Sequence, residues 1–314
     1  MRKLLTIAVV MIAIGQLAGC NRGTQTGRPR IALVLKTLNN PFFIDMQKGA
    51  MDAARRLDVD LTVQSAERET DVERQMQIIE NLVQSGVNAI CIAPSGSKEI
   101  VPAVGKAKKA GIPVVIVDDR IDTQAAAELG VHTDAYVGSD NVEGGRIAGR
   151  HLVDVTGGHA NVALLEGIPG HQTGDARLQG FREAIKASDG IHVVASQTAN
   201  WERDQGFTVF QNMLQANPSI DAIFACNDMM ALGAVEAIAV AGKTGRIRVI
   251  GFDAVDDARK AIASGAMEAS VAQFPSEMGR LAVESAVKLI RHEPVPAEQP
   301  TKLGLITRAN LGAQ

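Results

Sequence analysis

Short apolar runs rich in β-branched residues alternate along this chain with stretches whose apolar residues recur at helical spacing. Such alternation is typical of βαβ units built around a parallel sheet. The predicted strands cover residues 31–35, 60–64, 89–93, 113–117, 161–165, 191–195, 222–225 and 247–250, and the predicted helices include residues 43–57, 72–83, 176–187, 205–215 and 229–241. Because the order occurs twice, the sequence predicts an α/β fold of two similar, doubly wound parallel-sheet lobes.

The composition supports two globular domains. The chain has 314 residues, of which 46% are hydrophobic and 21% charged, and it is longer than one hydrophobic core usually fills. Its 32 Lys and Arg residues against 35 Asp and Glu residues give a net charge of -3, and the basic residues form no run in the sequence. We therefore expect no nucleic-acid partner. Aromatic residues make up 3% of the chain, so an aromatic residue in a predicted loop is informative.

The N-terminal segment has the features of an export signal. Two basic residues precede an apolar run over residues 4–14, which is too short to span a bilayer, since a spanning helix needs about 20 residues. The run ends in Leu-Ala-Gly-Cys, which resembles the lipobox of bacterial lipoproteins. We expect a signal peptide over residues 1–19, a lipidated Cys20 and a polar tether over residues 20–30. The protein would then be a membrane-anchored lipoprotein of the periplasm or cell surface; the alternative is a plain secretory signal.

The loops after the predicted strands carry most of the candidate ligand-binding residues. In open α/β sheets ligands bind beyond the carboxyl ends of the strands. Planar amide, carboxylate and guanidinium groups offer paired donors and acceptors to vicinal hydroxyls, while aromatic rings cover the C–H faces of a sugar. Both kinds of side chain occur in these loops, which predicts a sugar site. The residues are Asn40, Phe42, Phe43, Asp118, Arg177, Trp201, Asn227, Phe252 and Asp253.

Five segments in order carry a resemblance to a known family: TLNNPFF, IVDDR, GSDNVEGGRIAG, CNDMMALGA and IGFDA. Together they resemble periplasmic sugar-binding proteins of the ribose and allose type. The resemblance implies two lobes joined by a three-segment hinge, with crossings near Ser139, Phe274 and Lys302, and a sugar between the lobes. It places residues 31–139 and 274–302 in an N-terminal lobe and residues 140–273 and 303–314 in a C-terminal lobe.

The same resemblance implies a non-enzymatic receptor that delivers a monosaccharide to the permease of an ABC transporter. It implies no cofactor, and we expect a monomer; a chemoreceptor is a further candidate partner. The family's ligand contacts carry over to an amide and two rings in the first loop, a strand-end carboxylate, a guanidinium, an opposing ring, and the polar groups of the last loops. In this chain these residues are Asn40, Phe42, Phe43, Asp118, Arg177, Trp201, Asn227, Asp253 and Gln273.

Three departures from the ribose pattern bear on which sugar binds. Lys36 stands where that pattern has Ser, Ala93 where it has Asn, and Asp119 where it has Arg. A lysine and an acidic pair change which hydroxyls of a sugar can find hydrogen-bond partners. We therefore add Lys36 and Asp119 to the ligand-binding residues. The segments VLKTL and DDRID are similar instead to the allose-binding type. We therefore expect a hexose of the allose or psicose type; ribose, another pentose or a furanose signal is the alternative.

An enzyme reading from a different class also has to be weighed. SGSK from Ser95, SDN from Ser139 and KTG from Lys243 match, in order, the motifs of serine β-lactamases and penicillin-binding enzymes. Those enzymes need the first motif at the start of a buried helix, whereas Ser95 follows a predicted parallel strand. No other catalytic signature and no metal-ligand spacing of His or Cys occurs in the sequence. We therefore expect no catalytic residues and no metal. A repressor of similar shape would need a helix-turn-helix in place of the apolar leader.

Overall fold

The computed structural model describes residues 27–312. The predicted signal peptide, Cys20 and the first part of the predicted tether therefore lie outside the described residues, as do residues 313 and 314. Within the described part of the chain, no helix is long and apolar enough to cross a membrane.

Strands and helices alternate from one end of the described chain to the other. The first part contains β1 (Arg30–Leu35), α1 (Pro41–Leu57), β2 (Asp60–Ser65), α2 (Val72–Ser85), β3 (Ala89–Ile92), α3 (Val101–Lys109), β4 (Val114–Val117), α4 (Thr123–Glu128) and β5 (Ala135–Ser139). The second contains α5 (Asn141–Thr156), β6 (His159–Glu166), α6 (Gln172–Ile185), β7 (Gly190–Thr198), α7 (Arg203–Ala216), β8 (Ala222–Ala225), α8 (Asp228–Val240), β9 (Arg248–Asp253), α9 (Asp256–Ser264) and β10 (Ala269–Ala272). The chain ends with α10 (Pro275–Ile290), β11 (Glu298–Thr301) and β12 (Gly304–Thr307).

The strands form two six-stranded sheets. Their orders are β11-β5-β4-β3-β1-β2 and β12-β10-β9-β8-β6-β7. The first sheet is parallel throughout, and the second is parallel except for its edge strand β12, which runs antiparallel to β10. The prediction of two parallel-sheet lobes is thus confirmed with one correction at this edge. Two residues separate β11 from β12. β11 is parallel to its neighbour in the first sheet, whereas β12 is antiparallel to its neighbour in the second sheet.

The chain passes between the two sheets three times. The passages lie between β5 and α5, between β10 and α10, and between β11 and β12. α10 returns to pack against α1 beside the first sheet, while α5 packs against α6 beside the second. We propose the corresponding division into an N-terminal lobe of residues 31–139 and 274–302 and a C-terminal lobe of residues 140–273 and 303–314.

Burial on both faces explains why the strands are almost continuously apolar. Along β1, Ile31, Leu33 and Leu35 pack into a core with α1 and α10, whereas Ala32 and Val34 face a second core formed with α2 and α3. Side chains alternate across a strand, so a sheet covered on both sides needs apolar residues at every position. Polar residues are therefore placed mainly at the strand ends and in the loops that follow them.

Candidate functional site

The carboxyl ends of the two sheets face each other across a closed cleft, and a small cavity lies between them. Both lobes contribute charged, amide and aromatic side chains, and every lining residue is buried, with exposures between 2% and 8%. The lining residues are Lys36, Asn40, Phe42, Phe43, Glu69, Asp118, Thr173, Arg177, Trp201, Asn227, Asp253 and Gln273.

The first turn of α1 supplies two rings and an amide to the N-terminal wall. Asn40 caps this helix, because its Oδ1 accepts from the backbone N–H of Phe42 at 3.1 Å. Its Nδ2 donates to Oε1 of Glu69 at 3.1 Å. Phe42 and Phe43 lie edge to face, with their centroids 5.2 Å apart. The Pro41 that follows the cap fixes the start of the helix and so the position of both rings.

Three carboxylates surround Lys36 at the end of β1. Its Nζ lies 3.3 Å from Asp119, 3.7 Å from Asp118 and 3.9 Å from Glu69. Burial of this ammonium would lower its pKa, but the three carboxylates together raise it, so Lys36 stays charged. Burial raises the pKa of Asp118, and it raises the pKa of Glu69 to about 7. The N-terminal wall is therefore rich in acceptors and carries one fixed cation.

Arg177 of α6 is the centre of the C-terminal wall. Its Nε donates to Oδ1 of Asn141 at 2.8 Å, and one Nη donates to the carbonyl of Cys226 at 2.6 Å. The same Nη lies 3.8 Å from Asp253, and the guanidinium stacks 3.8 Å from the ring centroid of Phe252. These contacts fix the plane of the guanidinium before a ligand arrives.

The amides of the C-terminal wall are oriented in the same way. Nδ2 of Asn227 donates to the carbonyl of Trp201 at 3.1 Å, while its Oδ1 caps α8. Nε2 of Gln273 donates to Oδ1 of Asp253 at 2.7 Å. Burial raises the pKa of Asp253 to about 7, against the opposing influence of Arg177 and Gln273.

Backbone strain is concentrated at this site. Asp118, Asn200, Trp201 and Asp253 all have positive φ angles, between 50° and 108°, although none of them is glycine. Residues with side chains rarely adopt this region, and such conformations persist where the surrounding structure over-determines them. Trp201 also needs space behind it: a Cβ on Gly167 would lie 1.9 Å from the indole ring.

Two buried polar atoms of the cavity wall have no hydrogen-bond partner within residues 27–312. They are Nε1 of Trp201 and Oε1 of Gln273. One is a donor and the other an acceptor, and a buried polar group without a partner is costly. A polyhydroxylated ligand could satisfy both, because each of its hydroxyls both donates and accepts.

The structure brings the residues predicted for the site together around this cavity, with the exception of Asp119 and of Phe252, whose buried ring stacks against the Arg177 guanidinium. The Asp119 carboxylate lies behind the wall, where it accepts from Thr173 and faces Lys36 and His171. Glu69 and Thr173 line the cavity and were not predicted. Glu69 follows β2, and the rule on strand carboxyl ends would have found it; a single Thr in the first turn of α6 carries no such signal. His171, at the N-cap of α6, is also buried.

The three enzyme-like motifs do not assemble. Ser95 follows β3 in the N-terminal lobe, and Ser139 ends β5 and pairs with Thr301. Lys243 lies in the exposed turn before β9, at the amino end of its sheet, and donates to the carbonyl of Pro218. The cavity lies at the carboxyl ends, so these groups share no site. Among the described residues, no group of three or more His, Cys, Asp or Glu side chains could hold a metal ion.

Comparison with known proteins gives a consistent result. The family model for a periplasmic binding protein domain matches residues 31–294. The D-allose-binding periplasmic protein of Escherichia coli K12 is 41% identical over 249 residues, covering 79% of this chain and 80% of that protein. The ribose import binding protein of the same organism is 36% identical over 308 residues, covering 98% of this chain and 99% of that protein.

Solved structures agree with the sequence comparison. An ABC transporter periplasmic solute-binding protein from Actinobacillus succinogenes 130z, with bound D-allose, superposes with a TM-score of 0.86 at 39% identity. The match covers 90% of this chain and 99% of that one. An ABC transporter solute-binding protein from Agrobacterium vitis, bound with α-D-tagatopyranose, gives the same TM-score at 30% identity, covering 91% and 97% of the two chains.

Proposed function

The chain belongs to the periplasmic binding protein family, and from this we propose that it is an extracytoplasmic sugar receptor that delivers a monosaccharide to the permease of an ABC transporter. Its relatives are substrate-binding transport proteins, and the chain is not an enzyme. The observation that carries the proposal is the cavity between the lobes. Its walls offer fixed donors, fixed acceptors and three aromatic rings to a ligand that both lobes enclose.

Lobe closure follows from the way such a site divides its contacts. The N-terminal wall holds Lys36, Glu69 and Asp118, and the C-terminal wall holds Arg177 and Asp253. A ligand that touched one wall alone would bind the open and closed forms equally and would shift nothing. A sugar that bridges the walls binds the closed form more tightly, and closure is the signal that a permease can recognise.

The charges of the cavity favour a neutral ligand. Three carboxylates and two cations line it, and the Asp119 carboxylate stands directly behind the wall. A sugar phosphate or a uronic acid would place another anion among them without a free cation to meet it, since Lys36 and Arg177 already face carboxylates. Neutral sugars with several vicinal hydroxyls meet no such penalty.

The preferred sugar in this proposal is a hexose of the allose or psicose type. Support comes from Lys36 beside Glu69, which together offer a donor and an acceptor for hydroxyls at the N-terminal wall. It also comes from the D-allose-binding relative and from the D-allose-bound structure. The alternative is ribose, because a ribose-binding relative matches nearly the whole chain.

A thermal-shift panel tests the proposal. Allose, psicose, ribose, glucose, glucose 6-phosphate and glucuronate are each added to the soluble protein at 10 mM. A ligand at about 100 times its Kd stabilises the native state by about 2.7 kcal/mol, so a true ligand raises the melting temperature by several degrees. We expect a shift with a neutral hexose and none with the two anions. A panel without any shift from a neutral sugar, confirmed by calorimetry, would remove the proposal.

We further propose that the mature protein is held at a membrane by a lipidated Cys20. The support is the Leu-Ala-Gly-Cys sequence that ends the apolar leader. Two acyl chains suffice for stable anchoring. In cells fed a labelled fatty acid, the wild-type protein should carry label and Cys20→Ser should not. Label that persists on Cys20→Ser would show that the lipid is attached elsewhere, and a wild-type protein without label would show that no such anchor is present. Docking to a chemoreceptor remains a further candidate role.

A further inference from the structure

Helix α6 begins without a side-chain cap from its own lobe. His171 occupies the N-cap position, and in the described structure its side chain makes no capping hydrogen bond. The helices α1, α5 and α8 differ, since each is capped by the residue at its own N-cap position, Asn40, Asp140 and Asn227 respectively. The first N–H groups of any helix lack intrahelical partners and need acceptors from outside.

The acceptors for α6 come from the opposite lobe. Oδ1 of Asp119, in the loop after β4, accepts from Oγ1 of Thr173 at 2.7 Å and lies 3.3 Å from the backbone N of the same residue. Oγ of Ser97, in the loop after β3, lies 3.5 Å from the backbone N of Gln172. Asp119, Ser97 and Thr173 are all buried. Two side chains of the N-terminal lobe thus take the place of a cap on a helix of the C-terminal lobe.

The carboxylate of Asp119 stays ionised at this contact. Burial would raise the pKa of Asp119, but Lys36, His171 and Thr173 together hold it well below its ordinary value. A carboxylate at a helix N-terminus is also favoured by the helix dipole. The contact lies next to the sugar site in both lobes. Lys36, which faces Asp119, and Thr173 both line the cavity, and α6 also carries Arg177.

We propose that Asp119, assisted by Ser97, caps α6 across the cleft and so acts as a positioning residue that stabilises the closed lobes without touching the sugar. The inference rests on the proposed function of the site. In an open form the cap is broken, and water must replace it at both ends. Closure then restores the cap for every ligand alike, so the contact sets the affinity for all sugars and leaves their ranking unchanged.

The test uses Asp119→Ala, Ser97→Ala and the control Asp175→Asn. Asp175 is an exposed acidic residue in the first turn of α6, so its removal affects that helix equally in the open and closed forms. Dissociation constants for three sugars that bind the wild type are measured by calorimetry, and dissociation rates by stopped-flow fluorescence. Loss of a helix cap corresponds to about a 3- to 30-fold change in an equilibrium constant.

We expect Asp119→Ala to raise the Kd of all three sugars by the same factor in that range, through faster dissociation, and Ser97→Ala to do so more weakly. Asp175→Asn should leave Kd within twofold of wild type. Asp118→Asn, which changes a cavity carboxylate, should instead alter the ranking of the sugars.

Unchanged affinities in Asp119→Ala, or a changed ranking, would overturn the cross-lobe cap. Should Asp119→Ala fail to fold, Ser97→Ala decides: a uniform loss of affinity supports the cap and unchanged affinity refutes it. A wild-type protein that binds no sugar would instead overturn the proposed function and is recognised as such before any variant is compared.

Discussion

Lys36 and Arg177 show how single residues of this site are fixed before a ligand arrives. Each is a buried cation held by acceptors of its own lobe, and each also borders the cavity. The sequence allowed both to be predicted: Arg177 from the family resemblance, and Lys36 from its departure from the ribose pattern at the end of an apolar strand. It did not allow the role of Asp119 to be predicted. In the sequence, an acidic residue at a strand end gives the same signal whether its side chain faces the sugar or the opposite lobe.

Glu69 provides a prediction at the same scale. Its pKa is about 7, raised chiefly by burial, so the folded protein binds a proton more tightly than the unfolded chain. Stability from this proton is fully present below the ordinary pKa of a Glu and is lost as the pH rises towards 7. Glu69→Gln removes this dependence. We expect the variant to be more stable than wild type by about 1 to 3 kcal/mol at pH 7.5, with the difference vanishing near pH 4.5.

Urea unfolding of the sugar-free protein across this pH range gives the measurement. Glu67→Gln is the matched control, because Glu67 lies two residues away on the exposed surface. Equal pH slopes for wild type and Glu69→Gln would show that the carboxyl of Glu69 is not buried as described.

At the scale of elements, the predicted strand bounds were more accurate for a strand buried along its whole length than for one that is partly exposed. The strand predicted over residues 222–225 has the observed bounds, whereas β7 extends three residues beyond its predicted end. The edge strands β11 and β12 were not predicted as strands. Glu298–Thr301 is polar and contains a proline, and a sheet edge places few demands on side chains, so no periodic pattern marks it.

The contact between α5 and α6 depends on glycines. A Cβ on Gly180 would lie 1.9 Å from the carbonyl oxygen of Val142, a backbone atom that cannot move aside on its own. Gly180→Ala must therefore push α6 away from α5. Overpacking of this kind costs about 1 to 3 kcal/mol. Since α6 carries Arg177, sugar affinity should fall as well.

Chemical unfolding and sugar titration of Gly180→Ala check this expectation. The control is Gln179→Ala, an exposed substitution one residue away on the same helix, which should change neither quantity appreciably. A Gly180→Ala protein with wild-type stability would mean that the two helices are not in the close contact described.

At the scale of the whole molecule, the site is polar and yet buried because it lies between two similar lobes. The chain passes between these lobes three times. Each sheet directs its strand ends, and hence its loops, towards the other. The sequence predicted this arrangement because the βαβ pattern occurs twice and because the family resemblance supplied the crossings. Periodicity alone could not say how the two lobes face each other, since no local pattern encodes a contact between distant loops.

Trp201 makes the central claim directly measurable. It is the one Trp in the sequence, it lines the cavity, and its indole N–H has no partner among the described residues. A calorimetric titration with D-allose, followed in parallel by Trp201 emission, should give one site per chain, a saturable change in emission with the same Kd, and tighter binding than ribose. Tighter binding of ribose by tenfold or more would contradict the assignment of the sugar, and no binding of any monosaccharide by either signal would contradict the assignment of a sugar receptor.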